Sequence, residues 1–124
     1  MKELVMQQNK DTLGIQCTRG KIEMTGSSIL PDPRKFFKPV VEWVEGYVQD
    51  PAEKTEITLK FEYIDTASVQ QIFDVLNKFR QIPNFRTNVT VNWYFEFDDP
   101  ELLEVGEIME GRLQLNFNFI EYSA

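Results

Sequence analysis

The strand-forming segments of this chain alternate apolar and polar residues, and this alternation restricts the fold more than any other feature. Apolar side chains recur at every second position in residues 57–63, 89–97 and 113–119. Residues 12–26 alternate in the same way and turn at Gly20, which predicts a hairpin. An alternating strand has one buried face and one face toward water, whereas a strand covered on both faces is almost continuously apolar. The sheet is therefore predicted to carry its helices mainly on one face.

Three helices are predicted between these strands. Asp followed by proline starts the first helix at Pro33 and the third at Pro100, because proline suits the first helical position. Pro39 should kink the first helix or mark its true beginning after a short turn. The second helix ends before Pro83, and the third is predicted to stop at Gly111.

The predicted order of elements is ββαβαβαβ. Strands that alternate with helices imply crossover connections and a mainly parallel sheet, so we expect an α/β fold with a five-stranded mixed sheet in two layers. The chain has 124 residues, which suits a single domain over residues 1–124. Residues 1–10 could form a flexible N-terminus.

Composition excludes several classes of function. The chain has no His and a single Cys, so zinc and iron–sulfur sites lack ligands and the common neutral-pH general base is missing. Cys17 occupies the same side of the alternation as the apolar residues Leu13 and Ile15, so it is expected to be buried rather than nucleophilic. The sequence shows no phosphate-binding glycine loop of the Walker or dinucleotide type. We therefore expect a protein that is not an enzyme and has no cofactor.

The charge and hydropathy of the chain bear on its partners and location. The formal net charge is −7, which disfavours binding to nucleic acid and to anionic membrane surfaces. Apolar runs are too short to cross a bilayer, and the N-terminal residues do not resemble a secretory signal. A lone cysteine fits a reducing compartment, so the cytoplasm is the expected location.

The segment "EYIDTASVQQIF", residues 62–73, joins a predicted strand to the second helix. Asp65, Thr66 or Ser68 could each cap this helix, and Ser68 with Gln71 fits a capping box. Either hydroxyl could instead accept a phosphate, which adds about −1.5 to −2 charges. A phosphate at this position would meet the free N–H groups of the first helical turn. From the residues alone, a structural cap and a modification site both remain open.

The segment "FEFDDPELLEVGEIMEG", residues 95–111, is rich in carboxylates. These side chains could form a solvated helix face, a cation site or a docking face for a basic partner. The calcium-loop spacing is absent, and a metal-dependent hydrolase built on carboxylates would lack the usual ligand set.

Aromatic residues follow the alternation of the strand that precedes this acidic segment. Trp93, Phe95 and Phe97 are predicted to face the core. Tyr94 is predicted to face the polar side of the sheet, where an exposed tyrosine is a mild indication of a protein contact.

Three segments together resemble the SiaC-type regulatory phosphoproteins, which are bacterial cytoplasmic proteins. The first is "EYIDTAS" before a helix, the second is "VNWYFEFDDPELLEVGE", and the third is "FFKPVVEWVEGYV" in the first helix. The resemblance covers roughly residues 20–120. This family is similar in architecture and logic to the anti-sigma-factor antagonist (STAS) domains, so the resemblance implies a STAS-like domain.

The resemblance implies a protein that works by partner switching. In such a pathway a histidine-kinase-like (GHKL-type) protein kinase phosphorylates a threonine, and a PPM-type phosphatase removes the phosphate. In the best-known branch the unmodified form binds and activates a diguanylate cyclase. By position the acceptor is Thr66, with Ser68 as the alternative. Two departures from the family pattern are Ala67, where many members have Ser, and Phe97, which interrupts the acidic run.

Candidate partner-binding residues lie beside this joint and in the acidic run: Glu62, Tyr63, Asp65, Tyr94, Asp98 and Asp99. An alternative hypothesis is a constitutive protein-binding module. Such a module would use the polar sheet face or the acidic third helix and would need no phosphorylation.

Overall fold

The computed structural model describes residues 2–123, which form one sheet with helices packed against it. The strands are β1 (Leu4–Met6), β2 (Gly14–Thr18), β3 (Lys21–Ser28), β4 (Thr55–Ile64), β5 (Val89–Glu96) and β6 (Asn116–Tyr122). The helices are α1 (Pro33–Tyr47), α2 (Thr66–Lys78), the one-turn α3 (Phe85–Asn88) and α4 (Pro100–Leu113). A 3-10 turn, Phe79–Gln81, follows α2.

The six strands lie side by side in the order in which they occur along the chain. β1, β2 and β3 are antiparallel to one another, and β3, β4, β5 and β6 are parallel. Crossovers between parallel strands are right-handed, so three successive crossovers that step in the same direction place α1, α2 and α4 on the same face. On that face α2 lies between α1 and α4. Because it contains both antiparallel and parallel pairs of strands, the sheet is mixed.

The burial of the strands follows the predicted alternation except at Tyr63, near the end of β4, where the prediction of a buried side chain was wrong. Ile57, Leu59 and Phe61 of β4 are buried beneath the helices, whereas Thr58 and Lys60 between them face the other side. The predicted hairpin is confirmed, because Thr18 of β2 pairs with Lys21 of β3 across a two-residue turn that ends at Gly20. Gly20 has φ +86°, a backbone conformation that glycine adopts without strain.

The predicted number of strands was wrong, because β1 adds a sixth strand at the edge of the sheet. β1 has three residues and gives no alternating pattern, so only its pairing with β2 identifies it as a strand. The predicted order ββαβαβαβ also lacked α3, a single turn before β5. Flexibility over residues 1–10 remains a prediction.

The predicted end of the third helix was also wrong. That helix, α4, continues past Gly111 to Leu113, which had been assigned to the last strand. The left-handed residue that ends α4 is Gln114, with φ 58°. α1 is continuous through Pro39, so a helix that begins only after that residue is not observed. Across residues 2–123, no helix combines the length and apolar character needed to cross a bilayer.

Candidate functional site

The candidate site lies at one edge of the sheet, where the parallel strands end. Strands β3, β4, β5 and β6 have their carboxyl ends at this edge because they run in the same direction. α2 begins directly after β4, and α4 begins shortly after β5. Two helix N-termini, with their free N–H groups and positive dipole ends, therefore lie on one side of the molecule. We call this region the carboxyl edge.

Asp65 is the residue that caps α2. Its Oδ1 accepts a hydrogen bond of 2.8 Å from the backbone N–H of Ser68, and its Oδ2 accepts one of 3.3 Å from the backbone N–H of Leu30. The cap therefore also holds the segment between β3 and α1. The predicted capping box of Ser68 with Gln71 was wrong, because Ser68 lies three residues inside the helix from Asp65.

The hydrogen bonds to Asp65 affect its ionisation. Burial by itself would raise the pKa of the carboxyl group. Hydrogen bonds from Ser68 and from the backbone N–H of Leu30 outweigh this effect, and they lower the pKa below its ordinary value. Asp65 is therefore held as a carboxylate at neutral pH.

The two candidate hydroxyl groups occupy opposite environments. Ser68 is fully buried, and its Oγ lies 2.7 Å from the Oγ of Ser28 at the end of β3. Ser68 Oγ also donates a hydrogen bond of 3.3 Å to the backbone carbonyl of Ser28. Thr66, the first residue of α2, is exposed, and so is Ala67 beside it. The hydroxyl of Ser68 joins the helix to the sheet, whereas that of Thr66 faces solvent.

Three of the candidate partner-binding residues line a single cleft. Glu62 and Tyr63 at the end of β4 face Asp99 at the start of α4 across a cleft of about 120 Å³. Val69 and Leu102 supply its apolar wall. The cleft therefore connects the beginning of α2 with the beginning of α4, and Glu62 and Tyr63 are exposed there.

Tyr94 lies on the open polar face of the sheet, as predicted, and outside this cleft. Its ring is 6.4 Å from that of Tyr122, and the ammonium of Lys60 lies 4.6 Å from the centre of the Tyr122 ring. Glu62 lines both the cleft and the pocket on this face that contains Lys60. The open face and the carboxyl edge are thus adjacent surfaces.

Negative charge is concentrated where these two surfaces meet. Burial, followed by the nearby carboxylates of Asp98, Asp99 and Glu62, raises the pKa of Glu96 at the end of β5. The carboxylates of Glu62, Glu96, Asp98 and Asp99 therefore lie close together at the carboxyl edge. Among residues 2–123, no group of three or more acidic or cysteine side chains is arranged to hold a metal ion.

Three large side chains are exposed at this edge, and two of them, Ile29 and Phe97, were not among the predicted site residues. Phe97 was predicted to be buried, but the prediction was wrong: β5 ends at Glu96, and the Phe97 side chain is 64% exposed. Ile29, which follows β3, is 48% exposed, and Tyr63 is 56% exposed. The signal for Phe97 was the turn sequence Asp98-Asp99-Pro100 that follows it directly.

β5, which contains the aromatic residues 93–95, packs closely against α4. Trp93 is fully buried, and its indole N–H donates a hydrogen bond of 3.2 Å to the backbone carbonyl of Leu102 in α4. A Cβ atom added to Gly106 would lie 2.7 Å from the Trp93 ring. The tryptophan of "VNWYF" and the glycine of "EVGE" are therefore partners in one helix-to-strand contact. Cys17 is buried as predicted, and burial raises the pKa of its thiol to about 12.

Comparison with known proteins gives consistent matches. Residues 6–122 match the sequence model of a family described as SiaC family regulatory phosphoprotein. A protein of Pseudomonas aeruginosa (strain UCBPP-PA14), described as uncharacterized, is 25% identical over 100 residues, which cover 81% of this chain and 78% of that protein.

Solved structures of SiaC from Pseudomonas aeruginosa have the same fold. The apo form is 23% identical, with a TM-score of 0.85 over 97% of this chain and 99% of that one. SiaC in complex with the diguanylate cyclase SiaD, of which it is described as the activator, is 21% identical. The TM-score of that match is 0.86 over 96% of this chain and 99% of that one.

Proposed function

This chain belongs to the SiaC family of regulatory phosphoproteins, and we propose that it is a switch controlled by phosphorylation of Thr66. In this proposal the unmodified protein binds an output partner, a diguanylate cyclase, and the phosphorylated protein does not. A histidine-kinase-like kinase adds the phosphate and a PPM-type phosphatase removes it. The protein acts in the cytoplasm by binding, without catalysing a reaction of its own.

The choice of Thr66 over Ser68 as the phosphate acceptor rests on the difference in exposure between their hydroxyl groups. A kinase must bring the acceptor oxygen in line with the γ-phosphate of its nucleotide. Thr66 is exposed at the first position of α2, whereas Ser68 is fully buried and hydrogen-bonded to Ser28. Phosphorylation of Ser68 would require the start of α2 to separate from β3. We therefore assign the acceptor role to Thr66 and leave Ser68 as a structural residue.

The position of Thr66 also suits the product of the reaction. A phosphate at the start of a helix is favoured by the helix dipole and by free N–H groups. The first turn of α2 contains no acidic residue and no proline. The modified helix can therefore keep its structure while the surface gains about −1.5 to −2 charges.

The proposed partner surface is the carboxyl edge together with the adjacent part of the open face. It combines exposed apolar side chains at Tyr63 and Phe97 with the carboxylates of Glu62, Asp98 and Asp99. Asp65 and Tyr94 border it. Exposed aromatic residues with charged neighbours are typical of protein interfaces. A phosphate on Thr66 adds charge to this surface, which alters its electrostatic fit to a partner.

A binding experiment tests the switch directly. A diguanylate cyclase from the same organism is immobilised, and recovery of the wild type is compared before and after treatment with its histidine-kinase-like kinase and ATP. We expect the unmodified protein and Thr66→Ala to bind, and the phosphorylated wild type to lose at least about tenfold in affinity, or about 1.4 kcal/mol.

The control is Thr66→Ala treated with kinase and ATP in the same way, which should bind as the untreated protein does. Equal recovery of all forms would instead support a constitutive binding module that uses the sheet face or α4. Failure of every form to bind would rule out the tested diguanylate cyclase as the output partner.

A further inference from the structure

A groove between α1 and α2 collects positive charge on an otherwise acidic protein. It has a volume of about 1240 Å³ and lies on the outer side of the two helices, open to solvent. Its lining includes five of the 13 lysines and arginines of the chain: Arg34, Lys35, Lys38, Lys78 and Arg80. The formal net charge of the whole chain is −7. We call this feature the basic groove.

The basic side chains of the groove come from α1 on one side and from the end of α2 and the following turn on the other. Arg34 and Lys38 are four residues apart on α1, and Val41 follows three residues later, so these side chains share one face of the helix. Lys78 at the end of α2 and Arg80 in the turn after it supply the opposite side. The first part of α1, on the face that turns away from the core, is therefore basic over about one turn.

Carboxylates within the chain neutralise this set only in part, because five positive and two negative side chains leave the lining a formal charge of +3. Among the residues that the structure describes, Arg34, Lys35, Lys38 and Arg80 make no ion pair, while Lys78 pairs with Glu45 at 3.2 Å. The two acidic residues in the lining accept hydrogen bonds from neutral groups and form no ion pair with the basic side chains. Asp32 accepts a hydrogen bond from the backbone N–H of Lys35, and Asp74 accepts one from Gln70.

The rest of the lining suits a polypeptide. Val41 and Phe85 provide apolar contacts, and the amides of Gln71, Asn77 and Gln81 can hydrogen-bond to a main chain. The groove is wide and open, whereas small-molecule sites enclose their ligand in about 300–1,000 Å³. A nucleic acid fits less well, because the net charge of the chain repels a phosphate backbone.

We propose that the basic groove between α1 and α2 binds an acidic, amphipathic segment of a partner protein. Carboxylates of that segment pair with Arg34, Lys38 and Arg80, and its apolar side chains contact Val41 and Phe85. This is the mode in which a helix lies in a groove with its apolar side chains at helical spacing. The groove contains neither Thr66 nor any of the residues assigned above to the carboxyl edge, so this surface does not depend on the proposed phosphorylation.

The test uses a fluorescein-labelled peptide with leucines at helical spacing between glutamates. Binding is followed by fluorescence anisotropy, and the site is mapped from backbone amide shifts in NMR spectra of the full chain. We expect shifts at Arg34, Lys38, Asn77 and Gln81. The double variant Arg34→Glu/Lys38→Glu should bind at least about tenfold more weakly, because two attractive charges become repulsive.

The matched control is Lys2→Glu/Lys10→Glu, which changes the net charge equally at two exposed residues outside the groove. It should keep affinity within about twofold, since distant surface charges are screened by salt. Thr66→Ala should bind the peptide as the wild type does. Circular dichroism melts establish that every variant is folded.

Several results would overturn the proposal. Equal weakening by both double variants would mean that net charge alone drives binding. Absence of binding at millimolar peptide, or amide shifts confined to the carboxyl edge, would remove the groove as a docking site. Tighter binding of a single-stranded oligonucleotide at the same amides would assign the groove to nucleic acid instead. A lysine-for-glutamate version of the peptide that bound equally well would exclude charge complementarity.

Discussion

The N-termini of α2 and α4 lie at the same edge of the sheet and share the same kind of cap, but their first turns differ. Asp65 caps α2 and Asp99 caps α4, each through a hydrogen bond to the backbone N–H three residues later. α4 then continues with Pro100 and Glu101, so its start already contains a carboxylate and lacks one N–H donor. α2 continues with an exposed hydroxyl at Thr66 and no acidic residue.

This difference favours an added phosphate at the start of α2 over one at the start of α4. An anion at the start of α2 would face one adjacent carboxylate, that of the Asp65 cap, whereas at the start of α4 it would face those of Asp98, Asp99 and Glu101 and one N–H donor fewer. The two helices are also attached to the sheet differently. α2 is held at its first turn by a pair of buried hydroxyls, and α4 is held at its middle by contact with Trp93.

The largest predicted effect concerns the attachment of α4. Gly106→Ala should lower the free energy of unfolding by about 1–3 kcal/mol, because the new methyl group would overlap the Trp93 ring. Chemical denaturation of both proteins measures the difference. Gly111→Ala is the control, since a Cβ there would contact nothing within 4 Å. It should be neutral or stabilise α4 by about 0.5–1 kcal/mol. If Gly106→Ala were as stable as Gly111→Ala, the contact with Trp93 would not require glycine at position 106.

A smaller effect is expected at the first turn of α2. Ser68→Ala should cost about 1–2 kcal/mol of stability, because the buried Oγ of Ser28 would lose its hydroxyl partner. Thr66→Ala, two residues away and exposed, should change stability by less than about 0.5 kcal/mol. Thermal or urea denaturation distinguishes them. If Thr66→Ala were the more destabilising variant, Thr66 would be a structural cap rather than a free hydroxyl.

The smallest effect concerns the pH dependence of the α2 cap. The pKa of Asp65 is lowered in the folded protein, so its carboxylate contributes stability above the ordinary aspartate pKa of about 3.9, and this contribution is lost as pH falls through the folded value. The wild type should therefore be more stable than Asp65→Asn at neutral pH, and the difference should shrink in acid. Urea denaturation from pH 7 to pH 3 measures it. A difference that stayed constant over this range would show that ionisation of Asp65 does not stabilise the cap.

Most strands and the starts of two helices could be predicted, because their sequence patterns involve only residues that are near one another in the chain. The alternation around Leu59 and Trp93 identified the strands and the buried face, and Asp followed by proline located the starts of α1 and α4. β1 could not be predicted, because its three residues become a strand only through pairing with β2. Gly111 misled the prediction of the helix end, since the left-handed position belongs to Gln114.

Only the part of the candidate site that depends on neighbouring residues could be predicted from the sequence. The joint at residues 65–68 was identified from its sequence, but the roles of its residues depend on Ser28, which is 40 residues earlier than Ser68 in the chain. Phe97 is exposed because β5 ends at Glu96, one residue before it. Had the strand continued through Phe97, the alternation would have placed this side chain on the buried face. The basic groove joins α1 to the end of α2, so its charges come together only in the folded chain.

Mapping the phosphate acceptor tests the central claim most directly. The wild type, Thr66→Ala, Thr66→Ser and Ser68→Ala are incubated with the cognate histidine-kinase-like kinase and ATP, and phosphate is measured and located by mass spectrometry. Circular dichroism confirms that each variant is folded. We predict one phosphate on the wild type and on Thr66→Ser, phosphate on Thr66 in Ser68→Ala, and none on Thr66→Ala. Uptake by Thr66→Ala equal to that of the wild type, or its loss in a folded Ser68→Ala alone, would contradict the account.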